Sequence, residues 1–133
     1  MSESFKTGGI YMEQQEGDYL LVEAYGDEGF RFLGRRVEGS VLVTGGGFFP
    51  VGAKTLAEVT RADISEITDP NERPEILLVG TGEKMALPPA NVREMLQDIG
   101  TGYELMDTGA AARTFNVLRM EDRRVAALLI QVP

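Results

Sequence analysis

Two residue types that carry much of protein chemistry are missing from this chain, since its 133 residues include no cysteine and no histidine. Without cysteine there is no disulfide, no thiolate nucleophile and no zinc site built from Cys and His. Without histidine, Ser-His and Cys-His catalytic pairs are excluded. Acid–base chemistry would fall to Asp, Glu, Lys or Tyr, and a metal would need carboxylate ligands. We therefore expect no cofactor and no metal.

Long apolar runs are also missing. No stretch reaches the roughly 18 apolar residues of a membrane-spanning helix, so no membrane insertion is expected. The first 18 residues hold one Lys, no Arg and no apolar core, unlike a signal or transit peptide, and a cytoplasmic location is expected. The chain has 21 acidic and 13 basic residues, which gives a net charge of −8. This charge argues against binding nucleic acid.

The length of the chain predicts one domain, and its 43% hydrophobic content is typical of a globular fold. Residues 1–18 are polar and contain Gly8-Gly9. We interpret them as a loose segment with one short edge strand at Gly9–Met12. A single α/β domain is predicted over residues 19–133.

The first half of that domain has the pattern of an antiparallel meander. Strands are predicted at Tyr19–Tyr25, Phe30–Leu33 and Ser40–Thr44, because they are rich in β-branched and aromatic residues between glycine turns. Gly45–Pro50 is predicted to interrupt this pattern, since three glycines do not favour a regular strand. The interruption could cradle a phosphate or let Phe48 and Phe49 dock on the core; no P-loop lysine follows.

Beyond the glycines, Thr60 and Asp63 resemble a capping box that opens a short helix ending at Ile67. Phe48 and Phe49 could alternatively pair across a homodimer interface.

The second half alternates buried strands with amphipathic helices. An unbroken apolar run at Ile76–Val79 predicts a strand covered on both faces. A helix is predicted from residue 89 or 90 to Gly100, because Val92, Met95, Leu96 and Ile99 share one face. A strand at Tyr103–Met106, a helix capped by Thr108, and a strand at Val125–Ile130 follow. Strand–helix–strand units give parallel pairing, so we predict a three-layer α/β/α sandwich with a mixed sheet.

The string Asp107-Thr108-Gly109 matches the signature of aspartic proteases. Those enzymes need two such carboxylates sharing a proton, and this chain has one copy, so only a symmetric dimer could work. A structural interpretation fits the surroundings better, because Asp107 and Thr108 lie where a strand feeds a helix and can accept its unpaired N–H groups.

A third interpretation places a ligand at the same edge, since crevices in α/β sheets lie at strand carboxyl ends. Helix N-termini favour anions and Arg113 would add charge, although Asp107 would repel an anion, and a salt bridge between Asp107 and Arg113 is the simpler outcome. The candidate ligand-binding residues are Gly80, Thr81, Gly82, Asp107, Thr108, Gly109, Arg113 and Asn116. No catalytic set is complete.

Four segments carry a distinctive combination of residues, namely Gly29-Phe30 with Gly34 and Gly39, then Arg73–Gly82, Met106–Leu118 and Arg124–Ile130. Their order and spacing over residues 19 to 132 resemble those of one family of small domains, the Mth-nine-three-eight domain family.

The resemblance implies a three-layer α/β/α fold and no established catalytic activity. The family is one of unknown function, and it includes the mitochondrial assembly factor three for respiratory complex I. We therefore expect a non-catalytic, prokaryotic member that works through a protein partner, with a role in assembling NADH dehydrogenase as what the resemblance implies. Ala112 stands where many relatives carry Cys, so a redox role at that position is not available here.

Overall fold

The computed structural model describes residues 3–6, 9–12 and 19–133. Within these ranges a seven-stranded mixed sheet has the order β1-β2-β7-β6-β10-β8-β9, and a separate three-stranded antiparallel sheet has the order β3-β4-β5. The strands are β1 (Glu3–Lys6), β2 (Gly9–Met12), β3 (Ala24–Gly26), β4 (Gly29–Phe32), β5 (Arg35–Glu38), β6 (Ser40–Thr44), β7 (Gly47–Val51), β8 (Ile76–Gly80), β9 (Gly102–Met106) and β10 (Val125–Leu129).

In the same described ranges, two α-helices and two 3-10 segments accompany the sheets. Helix α1 spans Ala90–Asp98 and helix α2 spans Thr108–Met120. The 3-10 segments are Leu56–Glu58 and Arg61–Ile67. Helix α1 begins and ends within two residues of the predicted positions, and α2 begins within one residue of its predicted start. The backbone N–H of Thr60 donates to the Asp63 carboxylate at 2.8 Å, which confirms half of the predicted capping box.

The centre of the main sheet is formed by apolar strands that are buried on both faces. Strand β10 pairs in parallel with β8 and antiparallel with β6, and β8 pairs in parallel with β9. All five residues of β10 are buried, as expected for a strand covered on both sides. The predicted parallel order of the second half is therefore confirmed, and the sheet is mixed.

Each face of the main sheet packs against its own layer. One face is covered by α1 and the 3-10 segments, through Val92, Leu96, Ile64 and Ile67. The other is covered by α2 and the three-stranded sheet, through Phe115, Ala111, Phe30 and Phe32. The predicted three-layer sandwich is therefore correct in its layers.

The three-stranded sheet departs from the predicted meander. Strands β3 to β5 pair only with one another in a sheet of their own, and the predicted strand at Tyr19–Tyr25 is regular only from Ala24. The Phe32 ring stacks on Phe48 with centroids 4.7 Å apart. Phe32 is buried because β4 belongs to the layer that covers the main sheet. The strand itself is not part of the main sheet.

The predicted interruption at Gly45–Pro50 is wrong. Only Gly45 and Gly46 form a turn, because Thr44 pairs with Gly47 across a tight hairpin and β7 continues to Val51. The two phenylalanines on β7 point to opposite faces, so Phe48 joins the α2 core and Phe49 the α1 core. Both are buried within one chain, so neither is available for the homodimer contact suggested by the sequence.

The N-terminal predictions are tested only in part. Strand β2 coincides with the predicted strand, but it lies between β1 and β7 and is not the edge. The other residues of the loose segment lie outside the described ranges.

Candidate functional site

The candidate residues gather where β8 and β9 end at the same edge of the main sheet. Parallel pairing places Gly80 opposite Met106, and the backbone N–H of Thr81 donates to Met106 O at 2.9 Å. The loop after β8 and the start of α2 therefore meet, as the sequence predicted for neighbouring strands.

The two loops are hydrogen-bonded to each other. Thr108 N–H donates to Gly82 O at 2.8 Å, and Gly82 N–H donates to the Thr108 hydroxyl at 3.0 Å. That hydroxyl in turn donates to Ile130 O, just beyond β10, at 2.7 Å. Thr108 is fully buried, so its side chain holds three segments together.

Two further candidate residues are committed to local packing. The Thr81 hydroxyl donates to Lys84 O at 2.8 Å and accepts from Ala86 N–H at 3.0 Å, which closes its own loop. A Cβ at Gly80 would lie 2.9 Å from the Thr108 Cα. The close approach of these two backbones therefore requires glycine.

Asp107, and not Thr108, caps helix α2. The Asp107 Oδ1 atom accepts from Ala110 N–H at 2.9 Å, and Asp107 has extended backbone angles typical of an N-cap. The structural interpretation of the Asp-Thr-Gly string therefore accounts for this carboxylate.

Arg113 contacts a residue that sequence reasoning did not select. Its Nη1 donates to the Tyr25 hydroxyl at 2.8 Å, so the predicted salt bridge to Asp107 is not the contact that forms in the described chain. The Tyr25 hydroxyl lies 2.6 Å from where a Cβ on Gly109 would be. Gly109 therefore lets the tyrosine rest on the first turn of α2.

Tyr25 could have been identified only from tertiary contacts. In the sequence it is one aromatic residue in a short β-pattern, and nothing local distinguishes it from a core residue. Its side chain is 42% exposed, and its partner Arg113 lies 88 positions later.

Asn116 is directed away from the edge. Its Oδ1 accepts from Val22 N–H at 2.8 Å and its Nδ2 donates to Val22 O at 2.9 Å. This pair of bonds fixes the extended segment before β3 against α2.

A shallow cavity of about 260 Å³ lies at this edge. Three of the eight candidate residues line it, and Glu83 adds a second carboxylate beside Asp107, which disfavours an anion. The lining residues are Tyr25, Gly82, Glu83, Asp107, Gly109, Val132 and Pro133.

In the part of the chain that the structure describes, one pKa shift has a clear cause, and it lies at the far end of α2. The Tyr19 hydroxyl donates to Asp122 Oδ1 at 3.1 Å, and this hydrogen bond raises the pKa of Tyr19 above 10.0, with desolvation adding to it. At neutral pH the phenol is a neutral donor and not a base.

Among the described residues, no three Asp or Glu side chains converge so that they could hold a metal ion.

Residues 22–130 match the sequence model of a family described as "Protein of unknown function (DUF498/DUF598)". A relative from Rhodobacter capsulatus, an uncharacterized protein, is 33% identical over 115 residues, which is 86% of either chain. A Xenopus tropicalis relative named NADH dehydrogenase [ubiquinone] 1 alpha subcomplex assembly factor 3 is 29% identical over 119 residues. That match covers 90% of this chain and 65% of the relative's length.

Solved structures share the fold. An outer membrane protein from Bartonella henselae has a TM-score of 0.76 and 37% identity, covering 86% of this chain and 97% of that one. A Bordetella pertussis protein described as an Mth938-like domain has a TM-score of 0.71 and 27% identity, covering 90% and 92%. Neither helix in the described part of this chain has the length and apolar composition needed to cross a bilayer. With the family match over 22–130, these likenesses show that the chain belongs to the DUF498/DUF598 family and has its Mth938-like α/β fold.

Proposed function

We propose that this chain is a non-catalytic domain that binds a protein partner during assembly of a respiratory NADH dehydrogenase. The observation that carries the proposal is the similarity to assembly factor 3, which extends over 90% of this chain in the frog relative and 92% in the human one. The chain spans only about two thirds of those relatives' lengths, so the role proposed is that of the shared domain.

The geometry at the strand ends supports a binding role over a catalytic one. Asp107 caps a helix, and the hydroxyls of Thr81 and Thr108 are engaged in bonds within the fold. Catalytic groups need to be within hydrogen-bonding reach of a substrate. The string that resembles a protease motif is thus occupied in holding the fold together.

The outer side of α2 is the surface that we assign to the partner. Val117 is 51% exposed and Met120 is 54% exposed, and both lie on the same side of the helix as Arg113 because they are four and seven residues beyond it. Tyr25 extends this surface at the start of the helix. Tyrosine and arginine are enriched where protein interfaces gain most of their affinity.

The assembly role is tested by deleting the gene in the organism that encodes this chain. Native gels with an in-gel NADH dehydrogenase stain should then show less of the assembled complex, and the wild-type gene should restore it. A deletion strain with a normal amount of the complex would contradict the assembly role.

The partner surface is tested in the same strain. Val117→Asp with Met120→Asp should fail to restore assembly, because two charges would be buried against the partner. Leu87→Asp is the matched control, since Leu87 is also exposed, at 75%, but lies in the loop before α1. Full rescue by the double variant would exclude this side of α2, provided that all variants keep the wild-type melting temperature.

A second candidate function is ligand binding in the 260 Å³ cavity beside Tyr25. It is supported by the N-terminus of α2, which favours an anion, and opposed by the carboxylates of Glu83 and Asp107 in the cavity wall. In a thermal panel of small molecules, any stabilisation by an anionic ligand should disappear in Arg113→Ala. If no ligand shift depends on Arg113, this candidate fails.

A cytoplasmic location stays a prediction, to be checked by fractionating cells.

A further inference from the structure

Strand β9 forms one edge of the main sheet in the part of the chain that the structure describes. It is the last strand in the sheet order and, among the described strands, it pairs only with β8. Its middle residue, Glu104, is exposed, and Tyr103 and Leu105 are half-buried, whereas four of the five residues of β8 are buried. A Cβ on Gly102 would meet nothing within 4 Å, so the strand borders open space.

The pairing with β8 determines which backbone groups of β9 face outward. Met106 O accepts from the backbone N–H of Thr81 at 2.9 Å, so the backbone groups of Met106 face β8. In a strand, the N–H and C=O of one residue point to the same side, and those of the next residue point to the other side. The N–H and C=O groups of Tyr103 and Leu105 therefore face away from β8, where no described residue bonds to them.

An unpaired edge of this kind is a template for the addition of another strand. Natural edge strands prevent such pairing with charged side chains and proline. Strand β5, an edge of the smaller sheet, carries Arg35, Arg36 and Glu38, whereas β9 has one charged residue and no proline. Of these two edges, β9 is therefore the more favourable for an added strand.

The side chains of β9 indicate what the added strand would carry. Tyr103 and Leu105 pack at the border of the core under α1, so apolar residues opposite them would extend that core. Glu104 points to the other face of the sheet, because successive strand residues alternate, and no described cation pairs with it. A lysine or arginine opposite Glu104 would supply the opposite charge that stabilises a cross-strand pair.

A second copy of this chain fits the same edge less well. If the outward groups of Tyr103 and Leu105 both pair with residues of an antiparallel β9 from a second copy, Tyr103 lies opposite Leu105 of that copy. This register places the two Glu104 side chains directly opposite each other, in a pair without backbone hydrogen bonds, where side chains are closest. Like charges in that position destabilise a sheet. The charge of β9 therefore favours a basic strand over a second copy.

We propose that the outer edge of β9 binds an extended segment of a partner protein in which a basic residue stands between two apolar residues. The segment pairs antiparallel with β9 through the backbone of Tyr103 and Leu105, and its basic residue lies opposite Glu104. Binding of this type takes its affinity from main-chain hydrogen bonds and its specificity from alternate side chains. This edge is distinct from the outer side of α2, and the proposal does not depend on the assembly role.

The probe is the capped peptide Ser-Thr-Val-Lys-Val-Thr-Ser, and its control is the same peptide with both valine nitrogens methylated. In the ¹⁵N-labelled protein, the unmodified peptide should produce saturable shifts of the Tyr103 and Leu105 amides and slow their hydrogen exchange, because they gain acceptors. The methylated peptide cannot donate at the paired positions and should produce neither effect. Equal shifts with both peptides, or no saturable shift of these two amides, would overturn the proposal.

Analytical ultracentrifugation of the protein alone tests the other occupant of the edge. We expect a monomer in which the amides of Tyr103 and Leu105 exchange rapidly with solvent. A dimer in which these two amides are protected would show that a second copy occupies the edge, and the proposal would be wrong.

Charge reversal tests the role of Glu104. In Glu104→Lys, the peptide should bind about two- to fivefold more weakly, and its counterpart with glutamate in place of lysine should bind more tightly, because opposite charges across neighbouring strands attract. The matched control is Glu38→Lys, the same change at an exposed position on the edge strand β5, which should leave both affinities unchanged. If Glu104→Lys and the wild type bind both peptides equally well, the basic residue in the proposed segment is wrong.

Discussion

Asp107 and Thr108 are adjacent, yet they stabilise different parts of the fold. Asp107 accepts from Ala110 N–H and closes the first turn of α2. Thr108 is buried and bonds to Ile130 and Gly82, which joins the helix to the neighbouring strand ends. The capping role of Asp107 can be tested by replacing its carboxylate with the amide of asparagine.

Asp107→Ala should lower the free energy of unfolding by about 1 kcal/mol, while Asp107→Asn should lower it by much less, since asparagine also caps helices. Urea denaturation with a constant m-value measures both changes. Equal losses in the two variants would show that the charge of Asp107, and not its capping oxygen, is what matters.

Asn116 makes the only pair of side-chain bonds to Val22 among the described residues. Asn116→Ala would leave a partly buried N–H and C=O without their protein partner, so we expect a loss of about 1–3 kcal/mol. Gln97→Ala, the same type of change at an exposed position on α1, should stay within about 0.5 kcal/mol. Matching losses in urea denaturation would mean that the bonds to Val22 contribute nothing specific.

The junction between β8 and α2 depends on the absence of a side chain at Gly80. A Cβ there would lie 2.9 Å from the Thr108 backbone, so Gly80→Ala should cost about 1–3 kcal/mol through overpacking. Gly102 on the neighbouring strand β9 is the matched control, because a Cβ there would meet nothing within 4 Å. Gly102→Ala should be neutral or stabilising by up to about 1 kcal/mol. Thermal melts that rank the two variants in the opposite order would contradict this close approach.

The helices and the parallel strands could be predicted because their signals are local. The spacing of Val92, Met95 and Leu96 defines the buried face of α1, and the apolar run of β8 allows only a covered strand. The sequence does not predict β7, because the strand begins at Gly47 and glycine has a low strand propensity. Pairing with β6 stabilises the strand in spite of that propensity. The separate sheet of β3 to β5 was missed because a hairpin pattern does not reveal which sheet it joins.

Only part of the candidate site could be predicted, for a similar reason. The alternation of strands and helices predicts parallel strands, and parallel strands place Gly82 and Thr108 at one edge of the sheet. The contacts of Arg113 with Tyr25 and of Asn116 with Val22 join residues 88 and 94 positions apart. No local pattern encodes such pairs. The sequence pointed to Asp107 as the partner of Arg113 because Asp107 is close along the chain, whereas the residue that Arg113 contacts is Tyr25.

The central sheet is shared by two cores, which ties the layers into one cooperative unit. Phe48 and Phe49 are consecutive on β7 and belong to different cores, because successive strand residues point to opposite faces. Losing either ring therefore weakens the strand on which the other depends. The molecule should unfold as one unit and not layer by layer.

Phe48→Ala and Phe49→Ala should each lower the free energy of unfolding by about 3–5 kcal/mol, as is typical for a buried ring. In both variants, far-ultraviolet circular dichroism and tyrosine fluorescence should report the same single urea transition, since the chain has four tyrosines and no tryptophan. Val117→Ala, an exposed change on α2, is the control and should leave the midpoint nearly unchanged. If Phe49→Ala released the amides of α1 to hydrogen exchange while those of α2 stayed protected, the two cores would be independent. Equal loss of protection in both helices is what a shared sheet requires, because neither layer can keep its buried face once the strands between them separate.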